Sequence, residues 1–168
     1  MAKKVFMEVP PSAGNESRRH FFTVNETKIG VGGDNQKRSD IQLVQFFLKK
    51  FYGRHAELFR LLPPASKSPG QFALDGLVGA QTETGIRLFQ DHQSRAGSGL
   101  VKDGLVSVAP SFVSQTSHKR FTIFLLNLWF EQHSGEAQFL TNLELHPDII
   151  RFAPELQAEL STNPVTDL

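Results

Sequence analysis

The sequence predicts a mainly α protein that has a three-helix core, a small N-terminal β-hairpin and extra C-terminal helices. Apolar residues recur at helical spacing in three separate segments, which is the pattern of helices packed around one core. Pro147 and Pro154 stand where the first turn of a further helix tolerates proline. The 168 residues suffice to bury such a core without metals or disulfides, and the chain has no cysteine.

The N-terminal part predicts a flexible leader over residues 1–19, because residues 10–19 are rich in proline, glycine and polar side chains. Two β-prone runs follow, His20–Val24 and Lys28–Val31, on either side of the polar segment Asn25–Thr27. Short β-prone runs around a polar turn are typical of a hairpin. A single domain over residues 20–160 is expected after the leader.

The first helix is predicted to begin at Ser39. Serine is a good N-cap, and Gln42 three residues later completes a capping-box pattern. Gly53 is a suitable residue to end this helix. Its apolar residues lie on one helical face, which Phe47 widens: Ile41, Val44, Leu48 and Phe51.

The second helix is predicted over Ala80 to His92, after a loop at Pro63–Gly70. Thr82, Ile86 and Phe89 are expected on its inner side. Gly85 in its interior costs about 1 kcal/mol relative to alanine. We therefore expect a ring or a backbone segment to pack closely against this glycine.

The third helix, Ser117–His133, is apolar over most of its surface, as is a helix buried centrally or against a second chain. C-terminal helices within Glu136–Leu160 are the nearest segment able to cover it. Because they are in the same chain at high local concentration, a monomer is favoured over a dimer. Residues 161–168 are expected to be disordered.

Charge and hydropathy limit the partners. A net charge of +1 offers little electrostatic support for a nucleic-acid partner. The most apolar stretch, Phe121–Phe130, is too short for a membrane span, which needs about 20 residues. The N-terminus begins with lysines but has no apolar region of the length found in signal peptides. The sequence therefore predicts a protein that is cytoplasmic as synthesised.

No motif in the sequence predicts catalysis. The six histidines form none of the spacings typical of metal sites, and a cysteine nucleophile is excluded. A serine nucleophile elbow is also missing. We therefore expect no catalytic residues, no metal site and no cofactor, and classify the protein as not an enzyme. A glycosidase that uses two carboxylates is the class that inspection leaves open.

One short motif occurs twice. Asp75-Gly76-Leu77-Val78 and Asp103-Gly104-Leu105-Val106 share the residues Asp-Gly-Leu-Val, 28 positions apart. Aspartate can accept hydrogen bonds from the backbone amides that follow it, and glycine supplies the positive φ of a tight turn. The leucine and valine are expected to enter the core.

These turns and the helices around them, over about residues 39–110, resemble the three-helix module of the peptidoglycan-binding domain family. The resemblance is carried by an apolar first helix at Asp40–Leu48 and then by Asp75, Gly76, Gly79, Thr82, Ile86, Phe89, Gln90, Asp103 and Gly104. It implies a shallow groove beside the helices that recognises wall fragments. Glutamine amides can pair with the amide and acetamido groups of such glycopeptides. The candidate ligand-binding residues are Gln45, Asp75, Gly76, Gln90, Asp103 and Gly104, although the Asp-Gly pairs can serve as turns only.

The sequence departs from the family pattern in three places. Ala80 replaces a common proline, Ser107–Pro110 replaces Gly-Pro-x-Thr, and the loop at Pro63–Gly70 is long. The resemblance predicts non-catalytic recognition of peptidoglycan or a wall glycopeptide, which requires non-classical export to the periplasm or cell wall. The alternative is a cytoplasmic protein-interaction or assembly module, with a protein partner, that reuses the same fold.

Overall fold

A computed structural model describes residues 2–8, 18–24, 28–64, 72–108 and 121–162. Within these ranges the prediction of a mainly α protein is confirmed. The helices are α1 (Arg38–Arg54), α2 (Ala56–Phe59), α3 (Ala80–Arg95), α4 (Thr122–His133), α5 (Pro147–Phe152) and α6 (Pro154–Thr162). The strands are β1 (Lys3–Glu8), β2 (Arg18–Thr23), β3 (Ile29–Gly30) and β4 (Leu105–Val106).

The centre of the fold is α1. Every residue from Asp40 to Leu48 is buried, including the polar side chains of Gln42 and Gln45. Helices α3, α4 and α6 all pack against α1, so its surroundings are apolar on several sides. The helix that the sequence predicts with one buried face is therefore buried on most of its surface.

The predicted start of α1 is wrong. The helix begins at Arg38, and Lys37 is its N-cap without a side-chain hydrogen bond. Gln42 points away from the helix start: its Oε1 accepts the backbone N–H of Leu156 at 3.0 Å, and its Nε2 donates to Glu155 at 2.8 Å. These contacts with α6 replace the capping box because they satisfy both ends of a buried amide.

The predicted strand pairing is also wrong. Strand β2 pairs antiparallel with β1, which lies within the predicted leader, and β3 pairs with β4. At its other edge, β2 contacts Asn127 of α4. The Oδ1 of Asn127 accepts the backbone N–H of Phe22 at 2.7 Å, and its Nδ2 donates to the Phe22 carbonyl at 2.8 Å. The segments 9–17 and 25–27, predicted as leader and turn, lie outside the described residues.

The close approach predicted at Gly85 of α3 is confirmed. A Cβ atom there would lie 2.9 Å from the ring of Phe72. The hydroxyl of Tyr52 donates to the Gly85 carbonyl at 2.7 Å, and the Tyr52 and Phe72 rings stack in parallel. Helix α3 ends at Arg95, three residues beyond the predicted end at His92.

Helix α4 is buried along most of its length, and the predicted C-terminal segment supplies part of its cover. It packs against α1, β2, β4 and a 3₁₀ turn at Ala137–Leu140. Helix α6 packs on α1, on a second 3₁₀ turn at Leu143–Leu145 and on α5. Residues 117–120 of the predicted third helix lie outside the described residues, as do 65–70 of the predicted loop.

The C-terminal region, where short helices were expected, starts with two 3₁₀ turns, Ala137–Leu140 and Leu143–Leu145. Pro147 and Pro154 begin α5 and α6, as predicted. Helix α6 continues to Thr162, and residues 163–168 lie outside the described part of the chain. Among the helices described, none combines the length and apolar character needed to cross a membrane.

Candidate functional site

Both Asp-Gly motifs form tight turns with the predicted backbone geometry. Gly76 and Gly104 have φ values of 70° and 74°, in the left-handed region that favours glycine. In each turn the aspartate Oδ1 accepts the backbone N–H two residues ahead, from Leu77 at 3.0 Å and from Leu105 at 2.9 Å. The expectation that the leucine enters the core is wrong for Leu77, which is 57% exposed.

Gln45 of α1 holds the first turn. Its Oε1 accepts the backbone N–H of Gly76 at 2.9 Å. Its Nε2 lies within 3.2 Å of three acceptors: Asp75 Oδ1, the carbonyl of Leu77 and Thr82 Oγ1. The turn before α3 is thereby joined to the central helix.

Gln90 of α3 holds the second turn with the same set of contacts. Its Oε1 accepts the N–H of Gly104 at 2.8 Å. Its Nε2 lies 3.0 Å from each of Asp103 Oδ1, the carbonyl of Leu105 and Thr122 Oγ1. We call each arrangement of glutamine, Asp-Gly turn and threonine a Gln–Asp-Gly clamp.

The clamps bring the six predicted ligand-binding residues together in two groups of three. The two glutamine side chains are buried, at 1% and 0% exposure, and their amide groups already have partners within the fold. Asp103 is exposed and Asp75 is half-buried. Recognition of a wall ligand by Gln45 and Gln90 stays a prediction, and it would require the clamps to open.

Thr122 was not predicted as the partner of Gln90. The distance along the chain hides the equivalence: Thr82 lies seven residues after Asp75, whereas Thr122 lies nineteen after Asp103. The position of Gln90 in an apolar helix face did indicate that its side chain has partners within the protein. A glutamine within such a face must find hydrogen-bond partners inside the protein.

A separate cleft, which was not predicted from the sequence, lies between α2 and α3. Its volume is about 360 Å³. One wall of the cleft is apolar, and the rest of the lining includes an acidic, a basic and an imidazole side chain. The lining residues are Leu58, Leu61, Leu88, Asp91, His92, Arg95 and Ala96.

The charged side chains that line this cleft are Asp91 and Arg95, and Lys102 lies beside them as a second partner of Asp91. Asp91 pairs with Arg95 at 2.6 Å and with Lys102 at 2.7 Å, so one carboxylate faces two cations. The hydrogen bond from Lys102 is the main reason that the pKa of Asp91 lies below its ordinary value. Both cations are substantially exposed, which leaves them accessible to an anionic group of a ligand.

His92 forms part of the cleft wall and is held in an aromatic environment. Its ring lies 5.3 Å from that of Phe51 and 4.9 Å from that of His55. Burial, followed by the neighbouring His55, lowers the pKa of His92 below its ordinary value. Its Nδ1 is buried and has no hydrogen-bond partner among the residues that the structure describes. A neutral imidazole is therefore the favoured state at neutral pH.

Among the described residues, no group of three or more His, Cys, Asp or Glu side chains is arranged to hold a metal ion. Comparisons with family models, with curated proteins and with solved structures gave no significant match for this chain. The resemblance to the peptidoglycan-binding domain family accordingly rests on the motif residues alone.

Proposed function

We propose that the protein is a non-catalytic recognition module for peptidoglycan or a wall fragment, and that the α2–α3 cleft is its ligand site. The single observation that supports this site is the pairing of an apolar wall with exposed cations, Arg95 in the lining and Lys102 beside it. Leu58, Leu61 and Leu88 offer surface for methyl groups. Arg95 and Lys102 offer charge for a carboxylate.

The ligand chemistry suits this combination. Stem peptides of the wall carry small methyl side chains, amides and free carboxylates within a few ångströms of one another. Binding sites that are mostly apolar with a few fixed polar groups recognise such mixed ligands. An exposed arginine can also bind a carboxylate through two parallel N–H donors.

The position of the cleft is consistent with the family resemblance. The inner side of α3 carries Ile86, Phe89 and Gln90, which belong to the motif and are buried. The cleft is formed by other residues of the same helix, so the clamps and the cleft do not compete for side chains. The clamps stabilise α3 and its flanking turns, and thereby the shape of the site.

Co-sedimentation with purified insoluble peptidoglycan tests this proposal. We expect Arg95→Glu to lower the apparent affinity about tenfold, which is ~1.4 kcal/mol. Arg151→Glu on α5 makes the same charge change at another exposed position and should bind like the parent. Equal sedimentation of Arg95→Glu and the parent would reject the cleft. No sedimentation of the parent would reject wall recognition.

A protein-interaction module is the second candidate. Its support is a set of exposed apolar side chains in the C-terminal segment: Leu145 at 58%, Ile150 at 50% and Phe152 at 41% exposure. Lys49 and Arg151 flank the Phe152 ring at 4.6 and 5.0 Å. If Ile150→Glu removes binding to a partner while Arg95→Glu has no effect, this second function is favoured.

A further inference from the structure

Among aspartyl linkages, Asp-Gly is the one that most readily forms isoaspartate, because glycine places no side chain around its backbone nitrogen. In that reaction the glycine nitrogen loses its proton and bonds to the aspartate Cγ, and the carboxyl group releases water. The resulting succinimide adds water at either ring carbonyl, giving aspartate or isoaspartate. This chain contains two such dipeptides, and both lie in turns near the surface.

The structure holds both reacting groups of each turn away from that reaction. The nucleophilic nitrogens of Gly76 and Gly104 donate their N–H groups to Gln45 and Gln90, at 2.9 and 2.8 Å. These bonds keep the proton on the nitrogen and direct it at the glutamine oxygen. Deprotonation and attack on the carboxyl carbon both require the bond to break.

The carboxylates are restrained from the other side. Asp75 Oδ1 accepts from Leu77 N and from Gln45 Nε2, both at 3.0 Å. Asp103 Oδ1 accepts from Leu105 N at 2.9 Å and from Gln90 Nε2 at 3.0 Å. Rotation of the carboxyl group towards the glycine nitrogen therefore costs two hydrogen bonds in each turn.

We propose that Gln45 and Gln90 protect the Asp75–Gly76 and Asp103–Gly104 linkages from isomerisation, so that each is a latent modification site exposed only when its clamp opens. The protection is local to each clamp. It does not depend on the ligand of the cleft. Loss of either glutamine should therefore release only the turn that it holds.

Timed incubation of the full chain at mildly acidic pH, where a protonated carboxyl group can leave as water, tests the proposal, with peptide mapping by mass spectrometry to quantify isoaspartate. Arg87 and Arg95 lie between the two dipeptides, so trypsin places them on separate peptides. We expect Gln45→Ala to accelerate isomerisation about tenfold at Asp75 and to leave Asp103 at the parental rate. Gln90→Ala should show the reverse. Tenfold corresponds to ~1.4 kcal/mol, the scale of one hydrogen bond.

Thr82→Val provides the matched control. It removes one acceptor of Gln45 Nε2 but leaves the bond between Gly76 N and Gln45 Oε1 in place. Thr82→Val should destabilise the same turn, while isoaspartate forms at Asp75 at the parental rate. The proposal is overturned if the folded parent isomerises as fast as the chain in denaturant. Equal acceleration at both turns in a single-glutamine variant also overturns it, because global unfolding then explains the effect.

Discussion

The side-chain oxygen of Gln90 accepts the backbone N–H of Gly104 at 2.8 Å, and this bond joins α3 to the turn that the chain enters on its way to α4. Gln45 makes the equivalent bond from α1 to the turn before α3. Each of two successive core helices thus holds the connection that leads to the next. The clamps set the order and spacing of the helices around the core.

Loss of a clamp should reduce stability markedly. In Gln90→Ala, the N–H of Gly104 and the hydroxyl of Thr122 each lose a partner in a buried setting. Leaving a buried polar group unpaired costs about 1–3 kcal/mol. We expect the free energy of unfolding, measured in urea, to fall by about 2–3 kcal/mol. Gln132→Ala on α4 is exposed and should stay within about 0.5 kcal/mol of the parent.

Substitutions in the first turn should separate side-chain and backbone contributions. Asp75→Ala removes the acceptor for the Leu77 N–H and should cost about 1 kcal/mol, as loss of a helix cap does. Gly76→Val should cost more, because a β-branched residue at a φ of 70° is strongly disfavoured. A Cβ there would also lie 3.0 Å from Arg38 Cβ. Thermal melting of both variants measures this, and parental stability of both would contradict the observed turn.

The two helical glycines of α1 and α3 should respond to alanine with opposite signs. Gly85→Ala gains up to about 1 kcal/mol of helix propensity but pushes a methyl group into the Phe72 ring, and overpacking costs about 1–3 kcal/mol. Because Phe72 is buried and stacked on Tyr52, we expect net destabilisation. Gly53→Ala meets no neighbouring atom and should stabilise. Urea unfolding distinguishes them, and a more stable Gly85→Ala protein would show that the ring can move.

Stability should fall as the pH drops below about 6.5. Burial, followed by the charge of Lys50, lowers the pKa of His146, although Glu136 and Asp148 oppose the shift. Its Nδ1 accepts the N–H of Asp148 at 3.0 Å and caps α5, which needs an unprotonated nitrogen. His146 binds a proton more readily in the unfolded chain than in the folded one. Its contribution to stability is therefore complete above the pKa of the unfolded state and is lost as the pH falls through the pKa of the folded state.

His146→Asn tests this origin of the pH dependence. Asparagine is a good N-cap and does not titrate in this range, so α5 should remain capped. Urea unfolding at several pH values should show that the free energy of unfolding falls less steeply below pH 6.5 in the variant than in the parent. His92, whose pKa is lowered as well, should add to the slope. An unchanged profile would exclude His146 as a contributor. His133→Asn, at an exposed position of α4, is the control and should follow the parent.

The full chain is expected to be a monomer whose C-terminal segment is required for solubility. Helix α6 covers α1, and its backbone and side chain bind Gln42. Truncation after Gly135 uncovers this face of α1 and should cause aggregation. Light scattering of the full chain and of the truncated chain measures their oligomeric state and aggregation. A stable dimer of the full chain at micromolar concentration would contradict the expectation.

The helices were predictable because their signals are local. The apolar repeat of α1 and the prolines before α5 and α6 depend on residues within one or two helical turns. Gly85 likewise indicated a close contact, although Phe72 as the partner was not identifiable. The Asp-Gly turns were found for the same reason, since their geometry depends on two adjacent residues.

The partners of these elements followed from packing alone. The β-prone run at His20–Val24 was locally compatible with Lys28–Val31, yet β2 pairs with β1 and with Asn127, distant in sequence. Gln42 fits a capping box, but burial against α6 gives its amide two partners that a solvent-exposed cap lacks. Gln45 and Gln90 were predicted as ligand-binding because sequence shows a hydrogen-bonding group without showing what surrounds it.

The sequence by itself determined that this protein is mainly helical, where most helices lie and where two tight turns interrupt them. Backbone propensity and apolar spacing act over a few residues, so they can be read along the chain. The tertiary structure alone decided that α1 is central, that two glutamines are committed to turns, and that α2 and α3 enclose a cleft. Burial removes water as a hydrogen-bond partner, and each polar group then pairs with whichever residue the fold brings near.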